Sequence, residues 1–325
     1  MKNYDPAQIC VVADSKLLSL LPETEYPVLG IDIREADKSL ETVARIWDFL
    51  FEHDITRSGL LICIGGGALT DMGGFAAATY KRGIDYINIP TTLLAMIDAS
   101  VGGKTGVNYN GLKNSIGAFY PPIGTLLCPN WLKTLPSEQL LSGFAEMLKT
   151  GLLSGSTLFT RLLQYDLAAM DTDALMPLVT DCIRVKRRIV EADPQEKGQR
   201  KALNLGHTVG HALEEVSITS GGPVLPHGYA VLYGLITELY LSAVKLGCPR
   251  EPLQQLTDLM IHYYGRIQCR CSDRDRLLKL MRQDKKNEHA KDINCTLLGG
   301  IGQPLVNQLI SPDEMNEALD YLFSL

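Results

Sequence analysis

A cluster of metal-ligating residue types lies in the second half of this 325-residue chain. His207 and His211 are four residues apart in LNLGHTVGHALEE, so on a helix they would share one face. His227 follows in LPHGYAV, and Glu146 lies in GFAEMLKTG. Imidazole and carboxylate ligands with one open position are typical of a catalytic zinc site. The spacing predicts a metal centre but leaves open whether His207, His211 or both bind the ion.

Further polar residues lie near this cluster along the chain. Lys149 is one helical turn from Glu146, and Lys186 precedes the histidines. Arg200, Asn204 and the first two histidines follow at intervals of three or four, which predicts one shared helical face. Such a face is unusual to bury unless it lines a site. HTVGH has no glutamate after its first histidine, so the general base of a zincin-type protease is absent.

A second candidate site lies in the first half, where ICIGGGALTD places three glycines between a predicted strand and a predicted helix. Glycine lets backbone N–H groups approach a phosphate closely, and a helix N-terminus adds partial positive charge. Downstream, IDASVGGKTG contains a second Gly-Gly pair followed by a lysine. This is not a Walker loop, because Asp98 stands where that motif requires its first glycine. The GGG turn therefore predicts a phosphate-binding site of the βαβ type.

Two regions of different pattern must position these residues. Over residues 1–136, apolar runs such as QICVVAD, YPVLGIDI, GLLICI and YINIP alternate with helical patterns, which predicts an α/β nucleotide-binding domain with a mostly parallel sheet. One helical pattern, SLETVARIWDFLFEHD, has an apolar face of Leu40, Val43, Ala44, Trp47, Leu50 and Phe51. Over residues 137–325, long amphipathic stretches predict an all-α domain. The site is expected in the cleft between the domains.

The composition restricts the partners and the location of the protein. The net charge is −6 and no basic face is found, which argues against a nucleic-acid partner. No apolar run reaches membrane-spanning length, and MKNYDPAQIC lacks the pattern of a secretion signal. Of the eight cysteines, only Cys269 and Cys271 lie close together, which favours reduced structural thiols. These features predict a cytoplasmic protein without a membrane partner.

Several motifs, taken together, resemble those of the 3-dehydroquinate synthases. They are GGGALTDMGGFAAATYKRG, PTTLLAMIDASVGGKTGVN, GLKNSIGAFYPP, LKTLP, GFAEMLKTG, GQRKALNLGHTVGHALE and LPHG, in order over residues 9 to 302. The resemblance implies a glycerol-dehydrogenase-like fold and a homodimeric lyase of the shikimate pathway that uses NAD and Zn²⁺, with Co²⁺ as a substitute.

The same resemblance implies a sugar phosphate substrate. 3-Deoxy-D-arabino-heptulosonate 7-phosphate would be converted into 3-dehydroquinate and phosphate. NAD would oxidise the C5 hydroxyl, phosphate would be eliminated, the hydride would return, and an aldol step would close the ring after it opens. NAD would thus be regenerated within each turnover.

The resemblance also implies roles for individual residues. Glu146, His207 and His227 look like the zinc ligands, and His211 then looks like a catalytic histidine near the phosphate. The residues similar to substrate-binding groups are Lys149, Lys186, Arg200, Asn204, Arg82, Asp98, Lys104, Asn114 and one of Lys285 and Lys286. The residues similar to NAD-binding groups are Asp14, Glu35, Lys38, Gly66, Gly67, Ala68, Leu69, Thr70, Asp71, Thr91, Thr92, Asp98, Lys104, Lys113 and Thr134.

The chain departs from the family pattern at three places beside these residues. Tyr229 replaces the usual acidic residue of HGEAV, and the usual PLGKN reads NGLKN. Pro194 follows Asp193 where a glutamate is usual, although Glu196 remains nearby. The departures concern substrate contacts more than the zinc and NAD assignments.

Three alternative functions are weighed against this prediction. Another sugar phosphate cyclase, such as a 2-deoxy-scyllo-inosose synthase acting on glucose 6-phosphate, would share the zinc and NAD motifs, but Arg200, Asn204 and the DKK run favour the heptulosonate. A polyol dehydrogenase would not need so many phosphate-binding cations. A non-catalytic NAD- or metal-binding protein would be expected to lack at least one charged site residue, and all are present.

Overall fold

The computed structural model describes residues 4–33, 37–110, 112–220, 223–268, 273–283 and 292–325. They form two compact units, Met1–Leu135 and Pro136–Leu325. The elements of the first unit are β1 (Ile9–Asp14), β2 (Val28–Ile31), α1 (Leu40–Glu52), β3 (Leu60–Gly65), α2 (Gly67–Thr79), β4 (Asp85–Pro90), β5 (Lys104–Tyr109), β6 (Leu112–Phe119) and β7 (Gly124–Thr125).

A parallel five-stranded sheet forms the centre of the first unit and confirms the predicted α/β class. Its strand order is β2-β1-β3-β4-β7, and every neighbouring pair runs parallel. The strand β3 is nearly all apolar and buried, as expected for a strand with covered faces. The sheet places the carboxyl end of β3 directly before α2, so that the glycine-rich turn lies at that edge.

The helix α1 forms where the apolar period predicts it, with one error in its buried face. Ser39 caps it by accepting a hydrogen bond from the Thr42 backbone N–H. The buried stripe follows Val43, Ile46, Phe49 and Leu50. Phe51, which was predicted to be buried, is 58% exposed because the stripe runs through Ile46 and Phe49 instead. Its ring packs edge-on against the ring of Tyr80, with 4.8 Å between centroids.

An antiparallel ribbon of β5 and β6 completes the first unit and was not predicted. Gly106 and Gly117 face each other across it, and a Cβ on Gly117 would lie 2.1 Å from the backbone oxygen of Thr105. The pairing therefore requires glycine at this point. The ribbon carries Lys104 and Asn114, two of the predicted site residues.

The second unit is rich in helices, as predicted. Its elements are α3 (Ser137–Ser154), α4 (Ser156–Leu163), α5 (Thr172–Ala192), α6 (His207–Thr219), α7 (His227–Leu246), α8 (Glu251–Leu259), α9 (Arg274–Arg282), β8 (Ile293–Leu298), β9 (Pro304–Ile310) and α10 (Pro312–Ser324). The antiparallel hairpin β8–β9 is an addition to the predicted all-α arrangement. Its strands are too short for their apolar runs to be told from helix by period alone.

The helix α7 carries one of the predicted metal ligands and is unusually apolar. By length and composition it is long enough to cross a membrane, and it is the one such helix among the described residues. However, 67% of its most apolar window is buried inside the protein, which is typical of a core helix. It packs against α3, α6 and α10.

The prediction that Arg200, Asn204, His207 and His211 share one helical face is wrong. Arg200 and Asn204 belong to a short 3₁₀ helix, Gln199–Asn204, and α6 begins only at His207. Gly206 between them has φ +78°, a left-handed conformation that breaks the helical path. The two histidines therefore lie on α6, whereas Arg200 and Asn204 lie on the 3₁₀ helix before it.

Candidate metal centre and substrate-binding residues

The second unit brings Glu146, His207 and His227 together in one buried cluster. Each offers one ligand atom, and these three atoms all lie within 4.8 Å of one another. Oε1 of Glu146 is 3.3 Å from Nε2 of His207 and 3.3 Å from Nε2 of His227. The Glu146 side chain is 1% exposed. The three atoms thus converge on one point from three helices, α3, α6 and α7.

Close packing between these helices fixes the positions of the ligands. Ser142, one turn before Glu146 on α3, accepts a hydrogen bond of 2.9 Å at its hydroxyl from the Gly228 backbone N–H on α7. A Cβ on Gly228 would lie 1.9 Å from the backbone oxygen of Ser142, so only glycine allows this approach. Gly228 directly follows His227, and the contact therefore sets the distance between two ligand helices.

The two ligand imidazoles both turn Nε2 towards Glu146. Nδ1 of His207 lies 3.1 Å from the backbone oxygen of Leu205, and Nδ1 of His227 lies 3.4 Å from Oε2 of Glu214. An acceptor at Nδ1 keeps the proton on that nitrogen and leaves the lone pair of Nε2 for a metal. This is the usual arrangement of histidine ligands in metalloenzymes.

Burial and charge shift the pKa values of the cluster strongly. Burial alone would raise the pKa of Glu146, but the Lys149 ammonium and the histidines outweigh it and hold that pKa well below its usual range. Burial and then Lys149 lower the pKa of His207 to about 4, so its ring is neutral. Burial would lower the pKa of His227, but Glu146 and Glu214 together raise it to about 10. The carboxylates around His227 therefore favour positive charge at this point of the cluster.

The donor set of this cluster fits a metal ion. Neither oxygen of Glu146 accepts a hydrogen bond of normal geometry from the part of the chain that the structure describes. The Lys149 ammonium lies 2.5 Å from Oε2, while Oε1 faces the Nε2 atoms of both histidines, so a metal ion between these three ligand atoms would interact favourably with a carboxylate buried from water. Two nitrogens and one oxygen suit zinc better than magnesium or calcium, which prefer oxygen ligands.

The fourth candidate, His211, lies beside the cluster but outside it. Its ring centroid is 5.2 Å from that of His207 and 6.1 Å from that of His227. The residue is exposed on α6, whereas His207 is buried one turn earlier. The geometry therefore groups His207 with Glu146 and His227, a choice that spacing alone left open.

Three buried cations lie in the same unit. Lys149, Lys186 and Arg200 are 2%, 6% and 2% exposed, and Nζ of Lys149 is 2.5 Å from Oε2 of Glu146. Buried cations are rare in proteins unless they are paired or bind an anion. Their concentration in one unit is consistent with a site for a negatively charged substrate.

Asp193 and Glu196 organise the segment that carries Arg200 and Asn204. The Asp193 carboxylate accepts hydrogen bonds from the backbone N–H groups of Lys197, Gly198 and Arg200, which lower its pKa. Oε1 of Glu196 accepts a hydrogen bond of 3.2 Å from the Asn204 side chain. The departure Asp193–Pro194 lies at this turn, where the Pro194 backbone oxygen accepts a hydrogen bond from the Arg200 guanidinium.

The departure at Tyr229 also has a structural explanation. Its ring lies against the ring of Tyr264, with 4.7 Å between centroids, and the Tyr264 hydroxyl donates to the Leu141 backbone oxygen. Tyr229 therefore contributes aromatic packing between α7 and the segment after α8. An acidic residue could not make this contact.

In the first unit, the glycine-rich turn has the predicted strand–turn–helix form. Gly66 caps α2 without a side-chain hydrogen bond, and α2 contains Gly67, Ala68, Leu69, Thr70 and Asp71. The first N–H groups of a helix have no partner within the helix, and they commonly bind phosphate. The turn therefore fits the pyrophosphate of a dinucleotide.

Lys38, Asp71 and Asn114 meet in this unit. Nζ of Lys38, which is 3% exposed, lies 2.5 Å from Oδ2 of Asp71 and 2.5 Å from Oδ1 of Asn114. The Asn114 backbone N–H donates in turn to the Asn108 side chain. The interaction ties the start of α1, the helix α2 and the ribbon together.

The remaining predicted residues of the first unit lie at the ends of elements. Asp14 ends β1, and its carboxylate accepts a hydrogen bond from the Lys16 N–H. Thr92 follows β4 and accepts from the Ala95 N–H. The other positions are Thr91 after β4, Asp98 in the π-helical turn Ala95–Ala99, Lys104 in β5, Lys113 in β6, Thr134 in the 3₁₀ turn Pro129–Thr134 and Arg82 in the 3₁₀ turn Tyr80–Arg82. Glu35, Lys285 and Lys286 lie outside the described residues.

Two buried carboxylates beside the cluster were missed by the sequence analysis. Glu214 faces His227, and Glu238 on α7 accepts a hydrogen bond of 2.5 Å from the Gly206 backbone N–H. Glu238 is fully buried in a helix that is otherwise almost entirely apolar. An acid in such a helix is the signal that could have identified it, because buried acids need a partner.

Comparisons with known families cover both units. Residues 28–142 match the 3-dehydroquinate synthase N-terminal family, and residues 143–287 match the 3-dehydroquinate synthase C-terminal family. A 3-dehydroquinate synthase of Parabacteroides distasonis is 46% identical over 91% of this chain and 83% of its own length. One from Enterococcus faecalis is 35% identical over 94% of this chain and 87% of its own length.

Solved structures show the same fold. A 2-epi-5-epi-valiolone synthase of Streptomyces hygroscopicus, with NAD⁺ and Zn²⁺ bound, is 27% identical with a TM-score of 0.86, over 98% of this chain and 91% of that chain. A 2-deoxy-scyllo-inosose synthase has a TM-score of 0.81 at 23% identity, over 97% and 92%. A probable glycerol dehydrogenase of Sinorhizobium meliloti has a TM-score of 0.59 at 13% identity, over 97% and 90%, so the predicted likeness in fold is confirmed.

Proposed function

The chain belongs to the 3-dehydroquinate synthase family, and from this premise we propose that it converts 3-deoxy-D-arabino-heptulosonate 7-phosphate into 3-dehydroquinate and phosphate. The observation that carries the proposal is the buried Glu146–His207–His227 cluster with three buried cations in the same unit. A metal site alone would fit many enzymes. The cations add the capacity to bind both the phosphate and the carboxylate of this substrate.

We assign the enzyme to the carbon–oxygen lyases, since phosphate is eliminated in the overall reaction. Glu146, His207 and His227 would hold Zn²⁺, or Co²⁺ as a substitute, and a bound ion would polarise the substrate hydroxyl before its oxidation. The GGG turn would hold NAD, which supplies reversible hydride transfer. Residues 1–136 would form the NAD-binding domain and residues 137–325 the metal- and substrate-binding domain.

The other side chains have roles that follow from their charge and placement. Lys149, Lys186 and Arg200 would bind the anionic groups, with Asn204 held beside them by Glu196. His211 is exposed next to the cluster, so it can exchange a proton with substrate while the buried ligands cannot. Asp98, Lys104, Asn114 and Arg82 of the first unit, and one of Lys285 and Lys286, complete the proposed substrate contacts.

The NAD contacts follow the family motifs. Gly66 and Gly67 leave room for the pyrophosphate, and Lys38 holds Asp71 and Asn114 in place. The other proposed NAD contacts are Asp14, Glu35, Ala68, Leu69, Thr70, Thr91, Thr92, Asp98, Lys104, Lys113 and Thr134. The protein would act as a cytoplasmic homodimer.

A direct assay tests this proposal against its main alternative. The purified protein is supplied with NAD, Zn²⁺ and either the heptulosonate phosphate or glucose 6-phosphate, and phosphate release is followed. Turnover of the heptulosonate alone is the expected result. Turnover of glucose 6-phosphate alone would assign a 2-deoxy-scyllo-inosose synthase instead. A parallel reaction with glycerol and NAD⁺ follows NADH formation, and oxidation of glycerol without turnover of either phosphate would assign a polyol dehydrogenase.

A further inference from the structure

The two helices that carry the histidine ligands each place a glutamate against the other helix. Glu238 on α7 lies 2.5 Å from the backbone nitrogen of Gly206, the residue directly before His207 on α6. Glu214 on α6 lies 3.4 Å from Nδ1 of His227 on α7. Each helix therefore supports the histidine ligand of the other: α7 supports His207 on α6, and α6 supports His227 on α7.

The contact of Glu238 fixes the start of α6. Gly206 has φ +78° and caps α6 without a side chain of its own, so its N–H needs an acceptor from elsewhere. The fully buried Glu238 carboxylate supplies this acceptor, and its charge is favourable at a helix N-terminus. Because His207 is the first residue of α6, the orientation of this turn decides where its imidazole points.

A close backbone contact brings Glu238 to this position. A Cβ on Gly234 would lie 1.9 Å from the backbone oxygen of Gly206, and a Cβ on Gly206 would lie 2.8 Å from Leu235. Both glycines therefore let α6 and α7 approach where larger residues would separate them. Glu238 is one helical turn beyond Gly234, so its side chain reaches the Gly206 N–H from the same face.

The contact of Glu214 fixes the ring of His227. The carboxylate is 9% exposed and faces Nδ1, while Nε2 of the same ring is 3.3 Å from Oε1 of Glu146. A carboxylate behind a ligand histidine sets the tautomer and the ring orientation and raises its basicity. At His207 the atom facing Nδ1 is the Leu205 backbone oxygen, so His227 differs from His207 in having a carboxylate there.

We propose that Glu214 and Glu238 are positioning residues that hold His227 and His207, respectively, in the geometry required to bind the metal ion. The proposal rests on the proposed function, since it takes this cluster as the metal centre. Glu214 would act through its contact with His227, and Glu238 through its contact with the Gly206 backbone N–H. Their effect is exerted through the histidines alone.

Metal affinity of the variants tests this role. Glu214→Met and Glu238→Met keep a similar side-chain volume and remove the acceptor, so each should raise the Kd for Zn²⁺ by roughly 10- to 100-fold. Glu238→Gln retains an acceptor and should bind Zn²⁺ within about fivefold of the wild type. Competition with a chromophoric chelator gives the Kd, and the visible spectrum of the Co²⁺-loaded protein reports the ligand geometry. The spectra of both Met variants should change.

Matched controls separate positioning from a general loss of structure. Glu215→Met makes the same change one residue further along α6, and Thr237→Val changes a buried neighbour of Glu238 that bonds within its own helix. Both should keep wild-type Zn²⁺ affinity and the wild-type Co²⁺ spectrum. If Glu238→Met does not fold, Glu238→Asp tests the proposal instead. The shorter side chain moves the carboxylate away from the Gly206 N–H and should weaken Zn²⁺ binding about tenfold.

Unchanged affinity and spectra in the Met variants, or in Glu238→Asp where it replaces the Met variant, would overturn the proposal. An equal loss in Glu215→Met would do the same. Wild-type turnover of the heptulosonate phosphate is measured in parallel. Failure of the proposed function would appear as absent turnover with normal Zn²⁺ binding, and failure of this inference as normal Zn²⁺ binding in the variants.

Discussion

The metal cluster of the second unit and the glycine-rich turn of the first unit are held in place by different means. The metal ligands come from three helices and are supported by buried contacts such as Ser142–Gly228 and Glu238–Gly206. The turn relies on backbone N–H groups at one helix end, and the buried Lys38 of the same unit bonds to the side chains of Asp71 and Asn114. A metal ion needs several side chains at fixed distances, whereas a phosphate needs mainly a free helix end.

Removing a ligand should give the largest effect and should be confined to the metal region. His207→Ala should lose bound Zn²⁺ and reduce activity on the order of a thousandfold, because a metal ion contributes several kcal/mol to catalysis. Metal analysis after dialysis and NAD titration measure the two regions separately. If NAD affinity falls when Zn²⁺ is lost, the metal cluster and the glycine-rich turn are not independent as expected.

The neighbouring histidine sharpens the same comparison. His211→Ala should retain Zn²⁺ but lose roughly 100- to 10,000-fold in turnover, the usual contribution of a general acid–base group. The same metal analysis and a phosphate-release assay check this. Loss of Zn²⁺ from His211→Ala with retention in His207→Ala would reverse the ligand assignment.

A change in packing without a change in ligands should have an intermediate effect. In Gly234→Ala the new methyl group would meet the Gly206 backbone oxygen, which cannot move without shifting the start of α6. The free energy of unfolding should fall by about 3 kcal/mol, with Tm lower by roughly 6–12 °C and weaker Zn²⁺ binding. Gly299→Ala, which meets only ordinary contacts, is the control for thermal unfolding. A stable variant with normal Zn²⁺ affinity would mean that the helices can separate without cost.

In the first unit, Lys38→Met should affect only the nucleotide. It removes the charge-assisted hydrogen bonds to Asp71 and Asn114, so the Kd for NAD should rise roughly tenfold while Zn²⁺ affinity is unchanged. Fluorescence titration with NADH measures the change. Arg57→Met removes an exposed charge from the same unit and should leave both affinities as they are. Equal effects of the two variants would point to net charge instead.

The smallest effect is expected far from both sites, at the cap of α10. Glu314 forms a capping box with Ser311, and its pKa is lowered first by Lys245. A lowered pKa gives stability that is present above the unfolded pKa and is lost as the pH falls through the folded pKa. Glu314→Gln should therefore lower the free energy of unfolding by about 0.5–1 kcal/mol at about pH 7, and this difference should shrink as the pH falls through the folded pKa of Glu314. Denaturant unfolding of the wild type and the variant over a series of pH values checks this. A difference in the free energy of unfolding that stays constant with pH would exclude the charge of Glu314 as its cause.

The sequence predicts the parts of the molecule that depend on local patterns. Continuous apolar strands such as β3 identified the parallel sheet, and the apolar period identified α1 except for Phe51. The GGG turn was recognisable because strand, glycines and helix are adjacent in sequence. Resemblance then separated His207 from His211, and the structure supports that grouping.

The rest depends on contacts between distant residues, which spacing does not contain. The break at Gly206 follows from its approach to Gly234, so Arg200 and Asn204 were wrongly placed on the helix of the histidines. Glu214 carries no signal of its own in the sequence, because its contact with His227 joins two separate helices. The hairpin β8–β9 was missed because short apolar strands have no period of their own.

The apolar character of α7 also bears on how the chain is made. A newly synthesised segment of this length and hydropathy can be taken for a membrane anchor before the rest of its unit folds. Glu238 lies near the middle of that segment, and a charge at such a depth costs about 3 kcal/mol of insertion free energy. The same carboxylate that meets Gly206 in the folded protein therefore discourages insertion of the nascent helix into a bilayer.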